Sequence, residues 1–200
     1  MARSIDYFFA PQSPWTYLGH ARMVAMAEAA GAAVRVLPVD LGRVFPVSGG
    51  LPLARRAPQR QAYRLVELQR FAGFLGLPLV VQPRFFPVAG DDAARLVIAA
   101  DLADGTSAAL RLTAAVLSAV WAQERNIADA GVLCELLRES GLAPGLLQQS
   151  QSAAVQARYD AQTQEAIEAG IFGAPTYRVD GEIFWGQDRL DFLARKLAEA

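Results

Sequence analysis

The chain has 200 residues, 53% hydrophobic and 20% charged, a composition that suits one soluble globular fold with a sizeable core and excludes a disordered chain. Its formal net charge of -1 leaves no basic excess for a nucleic acid or an anionic membrane surface. One cysteine, Cys134, and one histidine, His20, exclude an internal disulfide and give no His/Cys cluster for a metal.

The opening stretch Ser4–Ala10 alternates and then runs apolar, which predicts a strand. A helical pattern begins at Pro14 and ends at about Ala30, with Gly31 as its stop. Ser13 stands at the N-cap with Pro14 in the first turn, so its hydroxyl lies where free N–H groups and the positive end of the helix dipole converge. That place suits an anion, and it equally suits a plain helix cap. His20 falls on this helix and is read as structural. Val34–Val39 predicts a second strand, and strand, helix and strand make a right-handed parallel βαβ unit. From Leu41 to Gln59 the prolines and glycines predict a long loop of the kind that carries function.

A helix from near Pro58 to Leu75 puts Arg60 and Arg64 on one face, four residues apart, which is either a solvated charged face or a cationic rim for an anionic ligand. The following loop carries Pro83-Arg84-Phe85-Phe86-Pro87, a rigid, apolar setting for Arg84. Helices are then expected over Asp91–Leu102, Ser107–Glu124, Asp129–Glu139 and Ala143–Gly170, the last broken near Ser150–Ser152. Cys134 lies in the apolar pattern of the third of these and is read as a buried structural thiol. The tail Phe172–Trp185 is two short strands around the Asp180-Gly181 turn, followed by a helix from about Asp188 to Ala198. No basic-then-apolar leader and no uninterrupted apolar span of about 18 residues is seen, so a cytoplasmic protein without a membrane segment is expected.

The order βαβ, helical stretch, ββα is that of a thioredoxin-like α/β fold with a large all-helical insertion. Residues 1–40 and 171–200 would form the thioredoxin-like part, and residues 41–170 the loop and helical insertion. Gly173-Ala174-Pro175-Thr176 resembles the proline loop of that fold, whose proline is cis. The position of its C-x-x-C motif is occupied here by Ser13-Pro14-Trp15-Thr16, so dithiol exchange is excluded.

Five segments in order, Ser13-Pro14-Trp15-Thr16-Tyr17, Arg60 to Arg70, Pro83 to Pro87, Phe172 to Thr176 and Phe184 to Leu190, resemble the 2-hydroxychromene-2-carboxylate isomerases. These are relatives of kappa-class glutathione transferases within the disulfide-oxidoreductase branch of the thioredoxin fold. The resemblance implies glutathione as cofactor, with the Ser13 hydroxyl bonded to its sulfur, Ala174 beside Pro175 pairing with its peptide as an added strand, and Trp185, Gly186, Gln187 and Asp188 at its γ-glutamyl end. It implies cis-trans isomerisation between 2-hydroxychromene-2-carboxylate and trans-o-hydroxybenzylidenepyruvate in the breakdown of naphthalene-type aromatics. A planar aromatic carboxylate needs aromatic walls and a cation, and Phe45, Phe85 and Phe86 with Arg56, Arg60 or Arg84 are the candidates.

In one place the chain departs from kappa-type relatives. Their S-G-N-K-P-P is Ser48-Gly49-Gly50-Leu51-Pro52-Leu53 here, and Arg55 or Arg56 offers the bidentate fork that the lost Asn and Lys do not. The resemblance leaves two further readings, a kappa-type transferase or peroxidase acting on other electrophiles, and a non-catalytic binding module. A homodimer fits the architecture.

Overall fold

The computed structural model describes residues 3–199. A four-stranded sheet in the order β2-β1-β3-β4 is built from β1 (Ser4–Phe9), β2 (Ala33–Pro38), β3 (Thr176–Val179) and β4 (Glu182–Trp185). β1 and β2 run parallel with Tyr7 opposite Val36, joined through α1 (Pro14–Ala29). β3 runs antiparallel to β1 with Tyr7 opposite Tyr177, and β4 antiparallel to β3. The hairpin turn places Asp180 at φ 52 and Gly181 at φ 84, the left-handed pair that an Asp-Gly step tolerates.

Between β2 and β3 lie α2 (Leu41–Ser48), α3 (Pro58–Leu75), α4 (Asp91–Asp104), α5 (Thr106–Trp121), α6 (Ala130–Glu139), α7 (Leu146–Gln149) and α8 (Ala153–Glu168), and α9 (Leu190–Ala198) ends the chain. The sequence expectation of a loop over 41–59 is corrected by α2 and by a short 3-10 turn at Leu53–Arg55. Asp40 caps α2 by accepting from Gly42 N–H at 2.7 Å, and burial of Val44 on the side facing α8 supplies the packing that Pro46 disfavours in isolation. Cys134 also departs from expectation, because it is only half-buried on α6.

One buried cluster joins the sheet to the helical segment. It contains Ile5, Tyr7 and Phe9 of β1 and Val36 of β2 together with Leu96 and Val97 of α4 and Leu112, Val116 and Trp121 of α5. Alanines at 93, 94, 99, 100, 108 and 109 let α4 and α5 approach closely. No helix among the described residues is long and apolar enough to cross a membrane.

His20 is the polar link within this core. Its Nδ1 lies 3.1 Å from the Tyr7 hydroxyl and its Nε2 3.1 Å from the Leu110 carbonyl oxygen, so a neutral ring accepts from Tyr7 and donates to Leu110. Burial lowers its pKa from 6.5 to about 4, against the smaller opposing effect of the Leu110 bond. The unfolded chain therefore takes up the proton first as pH falls. The His20 contribution to stability is complete above about pH 6.5 and is lost progressively toward pH 4, by up to about 1.4 kcal/mol per pH unit. Urea midpoints measured across this window are expected to fall with pH in the parent chain, and His20→Gln is expected to flatten that slope; equal slopes would contradict the assignment.

Candidate active site

Ser13 is the N-cap of α1, at φ -80 and ψ 124, with its Oγ accepting from Thr16 N–H at 3.3 Å. Its hydroxyl also reaches the Ala174 carbonyl oxygen at 3.4 Å, a long bond that a stronger acceptor can displace. The Ala174–Pro175 peptide bond is cis. This loop is pinned on both sides: Thr176 Oγ1 donates to Gly173 O at 2.7 Å, and Gly186 N–H donates to Pro175 O at 2.9 Å. Ala174 N–H, by contrast, has no backbone acceptor among the described residues. The start of α1 and the proline loop thus face each other, with an open backbone donor on one side and a hydroxyl at a helix N-terminus on the other.

Two glycines permit this arrangement. Gly19 sits on α1 where a Cβ would meet Gln187 Cβ and the Tyr177 hydroxyl, both at 2.8 Å. Gly186 holds φ 104, which turns the chain from β4 into the 3-10 turn Gln187–Arg189. Gln187 is consequently packed inward against α1, and its Oε1 accepts from Arg22 at 2.9 Å. Its side chain faces α1, so contact with a ligand would fall to its backbone. The Asp188 carboxylate is half-exposed and pairs with Arg189 at 2.8 Å. Trp185 lies over Gly173 with its ring 4.9 Å from that of Phe172.

The aromatic and cationic candidates separate into two groups. Arg84 and Phe85 are exposed, and the Arg84 guanidinium rests on the Phe85 ring at 5.3 Å. Of the apolar setting expected for Arg84 only Phe85 lies against it, because Phe86 turns inward, onto Trp121 with ring centroids 4.8 Å apart. Arg64 covers both of those rings, at 5.1 Å and 5.7 Å. Arg56 lies within electrostatic reach of Arg64 and Arg60, and its Nε donates to Leu51 O at 2.8 Å. Burial lowers the Arg64 pKa to about 10, and the Arg56 charge adds to that effect. Phe45, on α2, folds over Gly50. Phe86 is one of the aromatic walls expected from sequence; Trp121 was not picked out, because there it is one more apolar residue at the end of α5.

Residues 4–198 match the DSBA-like thioredoxin domain. The chain belongs to that family. It is 32% identical to the 2-hydroxychromene-2-carboxylate isomerase of Pseudomonas putida over 198 residues, covering 94% of this chain and 91% of that one. The protein of the same name from Sphingobium xenophagum is 29% identical, with 100% of both chains covered. A solved structure of 2-hydroxychromene-2-carboxylate isomerase superimposes with a TM-score of 0.82 at 29% identity, over 97% of this chain and 94% of that one. Within the DSBA-like family the chain is thus a member of the 2-hydroxychromene-2-carboxylate isomerase group. The cytosolic disulfide reductase DsbM of Pseudomonas aeruginosa, at 21% identity and a TM-score of 0.69, shares the fold.

Close packing under α1 has a measurable consequence. Alanine ordinarily stabilises a helix interior relative to glycine by about 1 kcal/mol. At Gly19 the sign is expected to reverse, with Gly19→Ala lowering unfolding stability by about 1–3 kcal/mol in denaturant titration, because the new methyl displaces Gln187 or Tyr177.

Proposed function

We propose that the protein is a glutathione-dependent isomerase that interconverts 2-hydroxychromene-2-carboxylate and trans-o-hydroxybenzylidenepyruvate in the breakdown of naphthalene-type aromatics. The observation that carries this reading is the Ser13 hydroxyl facing Ala174–Pro175 at the start of α1, in a chain 32% identical to a relative named for that isomerisation. A thiol has a place there and the chain supplies none, since its one cysteine is on α6.

The residues present fit glutathione. Ala174 offers an unpaired N–H to an extended peptide, as an edge strand does, and its carbonyl is held only by the long Ser13 bond. The backbone N–H groups of Gln187 and Asp188 also lack backbone acceptors among the described residues and suit a carboxylate. Ser13 is 8% exposed, so its hydroxyl acts in a recess with little competing water. Bound there, glutathione supplies a thiol able to add reversibly to a conjugated double bond and so permit its rotation. Ser13 donates a hydrogen bond to the sulfur and, with the α1 dipole, favours its anionic form below the free thiol value of about 8.5. Its role is to stabilise a charge, and no proton leaves its oxygen.

Turnover of the chromene is expected to require glutathione without consuming it. Ser13→Ala is expected to reduce kcat by about 10- to 100-fold, as loss of one hydrogen bond to an anionic centre does. It should also cost about 1 kcal/mol of stability through the lost cap. Full activity in that variant would overturn the role given to Ser13. Stoichiometric loss of the thiol with a general electrophile would favour a kappa-type transferase.

A further inference from the structure

The cations of this protein are unevenly satisfied. Arg35, Arg125 and Arg178 each bind two carboxylates, while Arg56, Arg60 and Arg64 take part in no ion pair among the described residues. Glu67, the single acid on α3, is taken by Arg70 at 2.8 Å. Arg64 is the member of this group that is drawn inward. It is part-buried, it stacks over Phe86 and Trp121, and its pKa is lowered by burial and by Arg56. A desolvated cation beside like charges and without an anion is unfavourable by itself, and an incoming anion relieves it. Next to it Trp121, wholly buried, keeps an indole N–H with no acceptor.

Two chains of contact tie Arg64 to the start of α1. Along α3, Arg64 shares a face with Phe71, about 10 Å away by helical rise, and Phe71 stands edge-on to Trp15 with ring centroids 6.1 Å apart. Along the loop before α4, Phe86 leads to Gly90, and the Gln12 side chain packs against Gly90. Gln12 and Trp15 flank Ser13 and Pro14. Arg64 is thus linked through packed side chains to both flanks of Ser13.

We infer that Arg64, supported by Arg56, binds the carboxylate of the aromatic substrate, and that the Phe86–Trp121 pair beneath its guanidinium holds that group in place. The inference rests on the isomerase reading for the identity of the substrate. The guanidinium supplies a planar two-donor fork to the carboxylate while its face stays on the rings, a combination that lysine cannot reproduce. The carboxylate is present in both isomers, so the contact binds substrate and transition state alike and belongs in KM.

The test uses the full chain with glutathione, following chromene turnover together with binding of trans-cinnamate and of cinnamamide by tryptophan fluorescence. The parent protein is expected to bind cinnamate at least 10-fold more tightly than the amide. Arg64→Leu is expected to abolish that preference and to raise KM by about 10- to 100-fold with kcat changed by less than about threefold. Arg64→Lys should fall between the two, and an unchanged circular dichroism spectrum shows that the variants fold. Equal binding of acid and amide by the parent, or an intact preference in Arg64→Leu, overturns the inference. A parent that prefers cinnamate yet leaves the chromene unchanged defeats the isomerase reading while the anion site stands.

Discussion

The structure depends on the close meeting of the first helix with the loop before β3. Ser13 and Ala174 are 161 residues apart, and their contact exists only because β3 lies beside β1 in the sheet and α1 packs onto Tyr177 and Gln187 with no side chain at Gly19 in between. The same geometry leaves one backbone donor unused at Ala174 and one hydroxyl weakly held at Ser13. Unsatisfied polar groups are costly in a folded chain, and that cost is the physical ground of the glutathione proposal.

Charge placement reinforces this view. Asp6, Arg35 and Arg178 of the sheet and Glu165 of α8 form a closed network in which every charge has a partner between 2.6 and 3.0 Å. At the end of α5, Arg125 is held by Glu135 and Glu139. The N-terminal part of α3 and the turn before it are built the other way, with four arginines, Arg55, Arg56, Arg60 and Arg64, and no acid to answer them. Such an imbalance lowers stability locally and raises affinity for an anion by the same amount of interaction.

Much of this was legible in the chain itself. The strands, the Asp-Gly turn and the cap at Ser13 followed from alternation, turn chemistry and the Ser-Pro step, because those signals are local. The proline loop was readable only through its resemblance to a known pattern, since nothing in Gly173-Ala174-Pro175-Thr176 tells where in space it will lie. Helix α2 was missed because Pro46 and the glycines argue for a loop while burial of Val44 beside α8, which decides the matter, is tertiary. Phe85 and Phe86 could not be told apart by composition. The backbone turns one ring outward to Arg84 and the other inward to Trp121, and that choice is made by the packing of the loop on α5.

The helical segment is best understood by imagining its removal. Residues 41–170 are an insertion into a thioredoxin-like sheet by chain order, but the sheet depends on them for its packing. Here the cut would strip Leu96, Val97, Leu112 and Trp121 from the apolar side chains of β1 and β2, and would take the Leu110 carbonyl from His20. The sheet would be left with a bare hydrophobic face and a buried imidazole without its acceptor. In engineering terms the chain has no detachable module, and any graft or truncation must carry α4 and α5 along with the strands they cover.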